Sequence, residues 1–321
     1  MTILKSTSFS RMKLFTSLDK FESTKMPIVL TLGNFDGVHL GHQHVLSQVT
    51  EIAEASDALS VVVTFLNPPS SVFTPEKPLQ LICSCEQKLA LIEEMGINRL
   101  ILLPFTKEFS EQSAESFLRE IKAHLPLSHF VLGYDSRIGK DRLGDEGMIR
   151  DLGKKLAFKV DYCEEVIIDG SSVSSSRIRH LIASGDLEET EKLLGRKLSY
   201  ILRPQPGQGL GKTIGFSTLN FDVQDLCLPP LGVYSVWLKT KDGLYESIAN
   251  LGYAPTVRHE SRPQLEVHVI GKTFQSFEEK AEVIFHQWIR SEQKFDGIDS
   301  LREQIKKDIL TAKQQLERAK A

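Results

Sequence analysis

Apolar positions along this chain follow two rhythms. In the first half, short continuous apolar runs alternate with stretches whose apolar residues recur at helical spacing. Pro27-Ile28-Val29-Leu30-Thr31-Leu32 reads as a buried strand, and Val45, Leu46, Val49, Ile52 and Ala53 after it share one helical face. Ser60–Phe65 reads as the next strand, residues 86–95 as a helix and Arg99–Leu103 as another strand, with further strands expected at 129–132 and 159–168. Strand-helix-strand repetition with near-continuous apolar strands predicts an α/β unit whose parallel sheet is covered on both faces, an architecture of the nucleotide-binding type.

The second half is written differently. Two short helices are predicted at 176–184 and 187–194, and residues 203–215, RPQPGQGLGKTIG, read as loop. Strand-like pieces follow at Gly232–Leu238, Tyr245–Leu251, Gln264–Ile270 and Lys280–Phe285, separated by turns and not by helices. They predict an antiparallel sheet or small barrel. A closing helix is expected, started by a Ser300-x-x-Glu303 capping box, with Leu301, Ile305, Ile309 and Leu316 as its apolar stripe. The expected division is a first domain over 1–185, a helical connection over 186–197 and a second domain over 198–321.

Bulk properties narrow the function classes. The 321 residues carry 39 basic and 42 acidic side chains, a net charge of −3, so nothing in the charge balance points to nucleic acid or a membrane as partner. No apolar run approaches a membrane span, and MTILKSTSFSRMKLF lacks the apolar core of an export signal, so a cytoplasmic protein is expected. Cys83, Cys85, Cys163 and Cys227 do not form a disulfide framework, and the Cys83-x-Cys85 pair has no further zinc ligands nearby.

The richest segment is Gly33-Asn34-Phe35-Asp36-Gly37-Val38-His39-Leu40-Gly41-His42, between the first strand and the first helix. Its glycines permit a tight turn and close backbone approach, and a helix start offers unpaired N–H groups to phosphate. His39 and His42, three apart, share a helical face and can donate to the oxygens of a transferring phosphoryl group. An isolated H-x-G-H is equally a glycine turn with two surface histidines; its position at the end of the first strand favours the ligand site. Val173-Ser174-Ser175-Ser176-Arg177-Ile178-Arg179 lies at another strand-to-helix junction. Its serines suit capping or anion binding, and Arg179 suits a phosphate clamp.

Together these motifs resemble the nucleotidyltransferase superfamily, marked by H-x-G-H and a later I-S-S-T-x-I-R. The fuller wording is similar to the FMN adenylyltransferase domain of the bacterial bifunctional riboflavin kinase/FAD synthetase family. The resemblance implies a Rossmann-like domain that binds ATP and phosphate through Gly33, Asn34, Asp36, Gly41, Ser175, Ser176 and Arg179, with His39 and His42 catalytic. It also implies a flavin contact at Asp135. The chain departs from the family at Ser136 and Ile138, where G-x-D-F-x-F-G has aromatics, and at Phe65-Leu66-Asn67-Pro68-Pro69, where F-[DE]-P-x-P is usual.

Gly207-x-Gly209-x-Gly211-Lys212-Thr213-Ile214-Gly215-Phe216-Ser217-Thr218-Leu219-Asn220 contains Gly-Lys-Thr. It is no Walker loop, because Pro206 occupies the first glycine position and no helix follows. It resembles the riboflavin kinase pattern G-x-x-x-G-F-P-T-A-N, with Ser217 for Pro and Leu219 for Ala. The resemblance implies a β-barrel kinase domain with a terminal helix. It places Mg²⁺ at Thr218 and Asn220, phosphate at Gly211 and Lys212, a catalytic base at Glu266 and a flavin contact at Arg290. Serine lacks the fixed φ of proline, so replacing Ser217 with Pro should raise turnover where loop order is limiting.

The activity expected is phosphorylation of riboflavin to FMN and adenylylation of FMN to FAD, with ATP, riboflavin and FMN as small-molecule partners and Mg²⁺ as cofactor. Two other readings compete. One is a flavin-binding or regulatory module that kept the fold without catalysis, against which stand the base and the paired histidines. The other is a transferase for a different phosphorylated acceptor, which leaves the second half without a role.

Overall fold

The computed structural model describes residues 12–77, 79–207, 211, 214–253, 263–272 and 279–319. The chain folds as two compact units. Lys88–Ser174 joins the chain up to Leu79 in one, and Gln80–Gln87 joins the chain from Ser175 onward in the other.

The first unit is built on six strands: β1 (Lys13–Phe15), β2 (Ile28–Leu32), β3 (Leu59–Phe65), β4 (Arg99–Leu103), β5 (Leu127–Leu132) and β6 (Lys159–Tyr162). They lie in the order β1-β4-β3-β2-β5-β6, and every neighbouring pair is parallel. The helices are α1 (Leu40–Ala55), α2 (Ser70–Phe73), α3 (Cys85–Glu94), α4 (Lys107–Ser110), α5 (Ala114–His124) and α6 (Glu146–Leu156). The first three residues of α3 group with the second unit.

Both sheet faces are buried. Val29 and Val62 pack with Val45, Leu46 and Val49 of α1 and Ile92 of α3. Ile28, Leu30, Val61 and Val63 pack with Phe117, Leu118 and Ile121 of α5 and with Ile149 and Leu152 of α6. Fully burying one such aliphatic side chain stabilises the fold by about 1.5–3 kcal/mol, which is why the strands read as continuous apolar text. The strand order reverses between β2 and β5, and in open α/β sheets ligands bind beyond the strand ends at such a switch.

Two sequence expectations change here. The chain adds β1, a three-residue strand on the edge beside β4. The strand expected over 159–168 stops at Tyr162; β7 (Ile167–Ile168) and β8 (Ser171–Ser172) instead form a separate antiparallel hairpin. Asp169 (φ 53°) and Gly170 (φ 72°) turn it, the positive-φ pair that an Asp-Gly hairpin requires.

The second unit begins with α7 (Ser175–Ser184) and α8 (Leu187–Leu194). Its strands are β9 (Ser199–Leu202), β10 (Pro204–Gln205), β11 (Leu219–Asp222), β12 (Gly232–Thr240), β13 (Gly243–Tyr253), β14 (Pro263–Val269) and β15 (Ala281–Ser291). They form a nearly closed antiparallel barrel in the order β10-β11-β14-β13-β12-β15-β9. Alternate side chains fill it, among them Tyr234, Val236, Leu251, Leu265, Val267 and Phe285. Residues 80–87 belong to this unit through ordinary hydrogen bonds. Leu81 N–H donates to Asp225 C=O (2.9 Å), and Gln87 Nε2 donates to Ser199 C=O (2.9 Å) and Oγ (3.0 Å).

The closing helix, α9 (Ile298–Arg318), lies against β12, β13 and β15. Ala312 and Ile309 meet Val233, Ile248, Ile270 and Ile289 on the outer face of the sheet. The capping box is absent. The helix starts earlier than the pattern suggested, with Gly297 at the cap position, so Ser300 is already inside the first turn and donates to Gly297 C=O at 2.8 Å.

Candidate active sites

The loop leaving β2 turns sharply because its backbone is forced into left-handed geometry. Phe35 (φ 51°), Gly37 (φ 79°) and Val38 (φ 38°) all have positive φ. For a β-branched residue this is strained, of order 1–3 kcal/mol, and burial of Phe35 and Val38 holds it in place. A side chain at Gly33 would bring its Cβ to 3.0 Å from the Phe35 ring, which would have to shift by a few tenths of an ångström.

His39 caps α1. Its Nδ1 accepts from His42 N–H at 3.3 Å, which places the proton of the neutral ring on Nε2. The His39 and His42 rings stack with centroids 3.6 Å apart and planes 18° apart, and Phe35 meets His42 edge-on at 5.2 Å. Gly41 allows that stack, since a Cβ there would lie 3.2 Å from the His39 ring. Asp36 is buried beside them.

Under the loop lies Lys88 of α3, which sequence reasoning missed because it reads as an ordinary helix lysine. It is buried, and its ammonium donates to the carbonyls of Asn34 (3.2 Å) and Phe65 (2.6 Å). Thr64 Oγ1 donates to the same Asn34 carbonyl at 3.2 Å. The ammonium thus anchors the start of the loop that leads from β2 to α1. Asp135 sits in the exposed turn after β5. Ser175 and Ser176 open α7 in the second unit, where Arg179 Nε donates to Gln80 C=O at 2.9 Å.

In the barrel, the register gathers three polar residues. Asn220 of β11 lies opposite Glu266 of β14, and Glu266 lies opposite Asn250 of β13. Residues directly opposite share a sheet face, so Asn220, Glu266 and Asn250 form one row. Burial pushes the Glu266 carboxyl above its ordinary value, as a proton acceptor near neutral pH requires. Asn250 carries no signal in the sequence that marks it out; strand register alone brings it to this row.

The loop before β11 packs tightly on this row. A side chain at Gly207 would bring Cβ to 2.1 Å from Asn220 Nδ2, and one at Gly211 would reach 2.3 Å from Phe216 C=O. Phe216 N–H donates to Gly211 C=O at 2.8 Å. Lys212, Pro255 and Thr256 lie outside the described residues. The hydroxyl of Thr218 and the amide oxygen of Asn220 are hard oxygen donors that would suit Mg²⁺ brought in on nucleotide phosphates.

Arg290, the residue expected to contact flavin, is held by an acid of the closing helix. Its Nε donates to both Asp308 oxygens (3.0 and 2.9 Å), Nη2 lies 2.7 Å from Oδ2, and Nη1 donates to Ser291 C=O at 2.8 Å. With its nitrogens so engaged, the guanidinium braces β15 to α9. Asp308, a buried acid on an otherwise apolar stripe, gave no sequence signal.

A parallel sheet with a histidine-capped helix at its switch point, in one chain with a barrel carrying a Thr-Asn-Glu site, defines a two-site transferase acting on nucleotides. The FAD synthetase family model matches residues 21–177, and the riboflavin kinase family model matches residues 194–316. A bifunctional riboflavin kinase/FMN adenylyltransferase of Pseudomonas fluorescens is 32% identical over 303 residues, covering 94% of this chain and 97% of the relative. One of Bacillus subtilis is 34% identical over 285 residues, covering 87% and 90%. The chain belongs to the bifunctional riboflavin kinase/FMN adenylyltransferase family. A solved structure described as a macrolide-efflux protein from Streptococcus pneumoniae shares the architecture, with a TM-score of 0.81 and 26% identity over 94% of this chain and 99% of that one. No helix among the described residues is long and apolar enough to cross a membrane.

Proposed function

We propose that this chain makes FAD from riboflavin in two ATP-dependent steps, phosphorylation in the barrel unit and adenylyl transfer in the parallel-sheet unit. The observation that carries the reading is that two family models, FAD synthetase and riboflavin kinase, match successive parts of the chain, residues 21–177 and 194–316.

In the barrel, Glu266 takes the proton of the ribityl hydroxyl as that oxygen bonds to the γ-phosphorus of ATP and ADP leaves. Mg²⁺ held by Thr218 and Asn220 would supply charge neutralisation at the phosphate oxygens. Gly211 and Lys212 are the proposed backbone and ammonium partners of the phosphates. Asn250 lies across from Glu266 and orients its carboxylate.

In the parallel-sheet unit, a phosphate oxygen of FMN attacks the α-phosphorus of ATP and pyrophosphate leaves. The incoming oxygen is already anionic, so no base and no covalent intermediate are needed. Gly33, Asn34, Asp36 and Gly41 shape the loop, and the Nε2–H of His39, with His42 stacked on it, donates to oxygens where charge builds. Ser175, Ser176 and Arg179, on α7 of the other unit, are further proposed partners of phosphate, and Asp135 is the proposed flavin contact. The cytoplasm is the proposed compartment, and small molecules are the proposed partners.

The purified chain is incubated with ATP and Mg²⁺, with riboflavin in one vessel and FMN in the other, and flavins are separated over time. FMN and FAD from the first and FAD from the second are expected. FMN binding without turnover of ATP in either vessel would overturn the reading in favour of a binding module.

A further inference from the structure

We propose that His268 is a positioning residue of the riboflavin-phosphorylating site, clamping the segment ahead of Thr218 and supplying the order that Ser217 does not. This rests on the reading of the barrel site given above.

Two backbone anchors bracket the segment. On one side Phe216 N–H is tied to Gly211 C=O at 2.8 Å. On the other, Leu219 enters β11 opposite Val267. Ser217 and Thr218 lie between these anchors, and Thr218 is the proposed metal-holding hydroxyl. Serine at 217 leaves φ unfixed, where the resembling pattern has proline.

His268 bridges the gap. Its Nδ1 lies 2.8 Å from Ser217 C=O, and its ring meets the Phe216 ring edge-on at 5.5 Å and 84°. A carbonyl oxygen only accepts, so Nδ1 carries the hydrogen. The clamp holds in the neutral ring with that tautomer and in the cation alike. His268 is two residues beyond Glu266 on β14, so both side chains leave the same face of the strand. Its backbone is itself fixed by pairing with Ile248 of β13, which α9 covers. One strand thus carries the proton acceptor and the clamp that sets Thr218 beside it.

The clamp makes Ser217 and His268 interdependent. With the ring in place, Ser217→Pro adds little, and turnover changes less than about threefold; without it, proline substitutes for the lost restraint. An ångström of displacement at a reacting centre costs up to about 100-fold in rate. His268→Ala is therefore expected to lower FMN formation about 10- to 100-fold, through a raised KM for ATP as well as a lower kcat. FMN-to-FAD conversion by the same full chain stays within about twofold and reports that the parallel-sheet unit is intact, while an unchanged thermal transition of the barrel unit reports that the barrel is folded. Ser217→Pro added to His268→Ala should restore at least about tenfold. His268→Asn, whose amide N–H can reach the same carbonyl, should keep most of the activity, and His268→Phe should not.

The experiment measures both reactions in the wild-type chain and these variants. A His268→Ala chain that phosphorylates riboflavin at the wild-type rate overturns the clamp and leaves the site reading standing. A His268→Ala defect that neither Ser217→Pro nor His268→Asn relieves also overturns it. A wild-type chain that forms no FMN overturns the site reading and the clamp together.

Discussion

Replacing Asp308 with Ala removes one charge from an enclosed pair and leaves the other behind. The Asp308 side chain is 3% exposed and that of Arg290 is 16%, so water can replace little of what is lost. Breaking such a pair by deleting one partner costs about 3–5 kcal/mol. Gln304 Nε2, 2.8 Å from Asp308 Oδ1, loses an acceptor as well, worth roughly 1 kcal/mol. The residual exposure of Arg290 argues for the lower end, about 3 kcal/mol in all. For a unit of this size, 1 kcal/mol moves Tm by roughly 2–8 °C, so a fall of order 10 °C is expected in the transition of the barrel unit. The assay is thermal unfolding of the intact chain followed by circular dichroism, with riboflavin and ADP added to mark the barrel transition by its upward shift. Removing both charges, in Arg290→Met with Asp308→Leu, should recover most of the loss, because nothing charged is then left buried. A single variant melting within about 2 °C of wild type would refute the reasoning, as would a double variant as unstable as the single one.

Two further outcomes follow from the barrel geometry. Burial raises the Glu266 carboxyl above its ordinary value, so its proton-accepting form is lost as pH falls through that raised value. Riboflavin phosphorylation should decline with falling pH in a window above the usual glutamate range, a limb absent from FMN adenylylation by the same chain and read from parallel pH–rate profiles. The folded chain also holds this proton more tightly than the unfolded one, so the group's contribution to stability is present at low pH and is lost as pH rises through the raised value. Glu266→Gln should therefore abolish phosphorylation while melting at or above wild type at neutral pH. Gly207→Ala puts a Cβ 2.1 Å from Asn220 Nδ2, and FMN formation should fall at least about tenfold while FAD formation from FMN holds steady in a two-substrate assay.

Hydrophobic rhythm made the sheet cores readable. β2 and β3 are buried on both sides, so nearly every residue had to be apolar, and α1 shows its buried face at regular spacing. β1 was hidden for the converse reason. It is three residues long, on an edge, with Leu14 half exposed, and its pairing with β4 is a tertiary event without a local pattern. The break of the 159–168 segment after Tyr162 has no turn signal in Cys163-Glu164-Glu165, and Asp169-Gly170 marks only the hairpin that follows. Residues of the sites divide likewise. His39, His42, Thr218 and Asn220 stand in contiguous motifs. Lys88, Asn250, His268 and Asp308 matter through partners far away in sequence, and each is individually an ordinary polar residue on a helix or strand.

The membership of Gln80–Gln87 in the barrel unit bears on how the chain can be divided. A fragment starting at Ser175 would contain every residue proposed for riboflavin phosphorylation, yet it would lack the Gln87 amide that donates to Ser199 and the Leu81 backbone that pairs with Asp225 and Cys227. Ser199 opens β9, the last strand in the barrel order. A single cut before Ser175 would therefore part the barrel from a stretch of chain that it holds by hydrogen bonds.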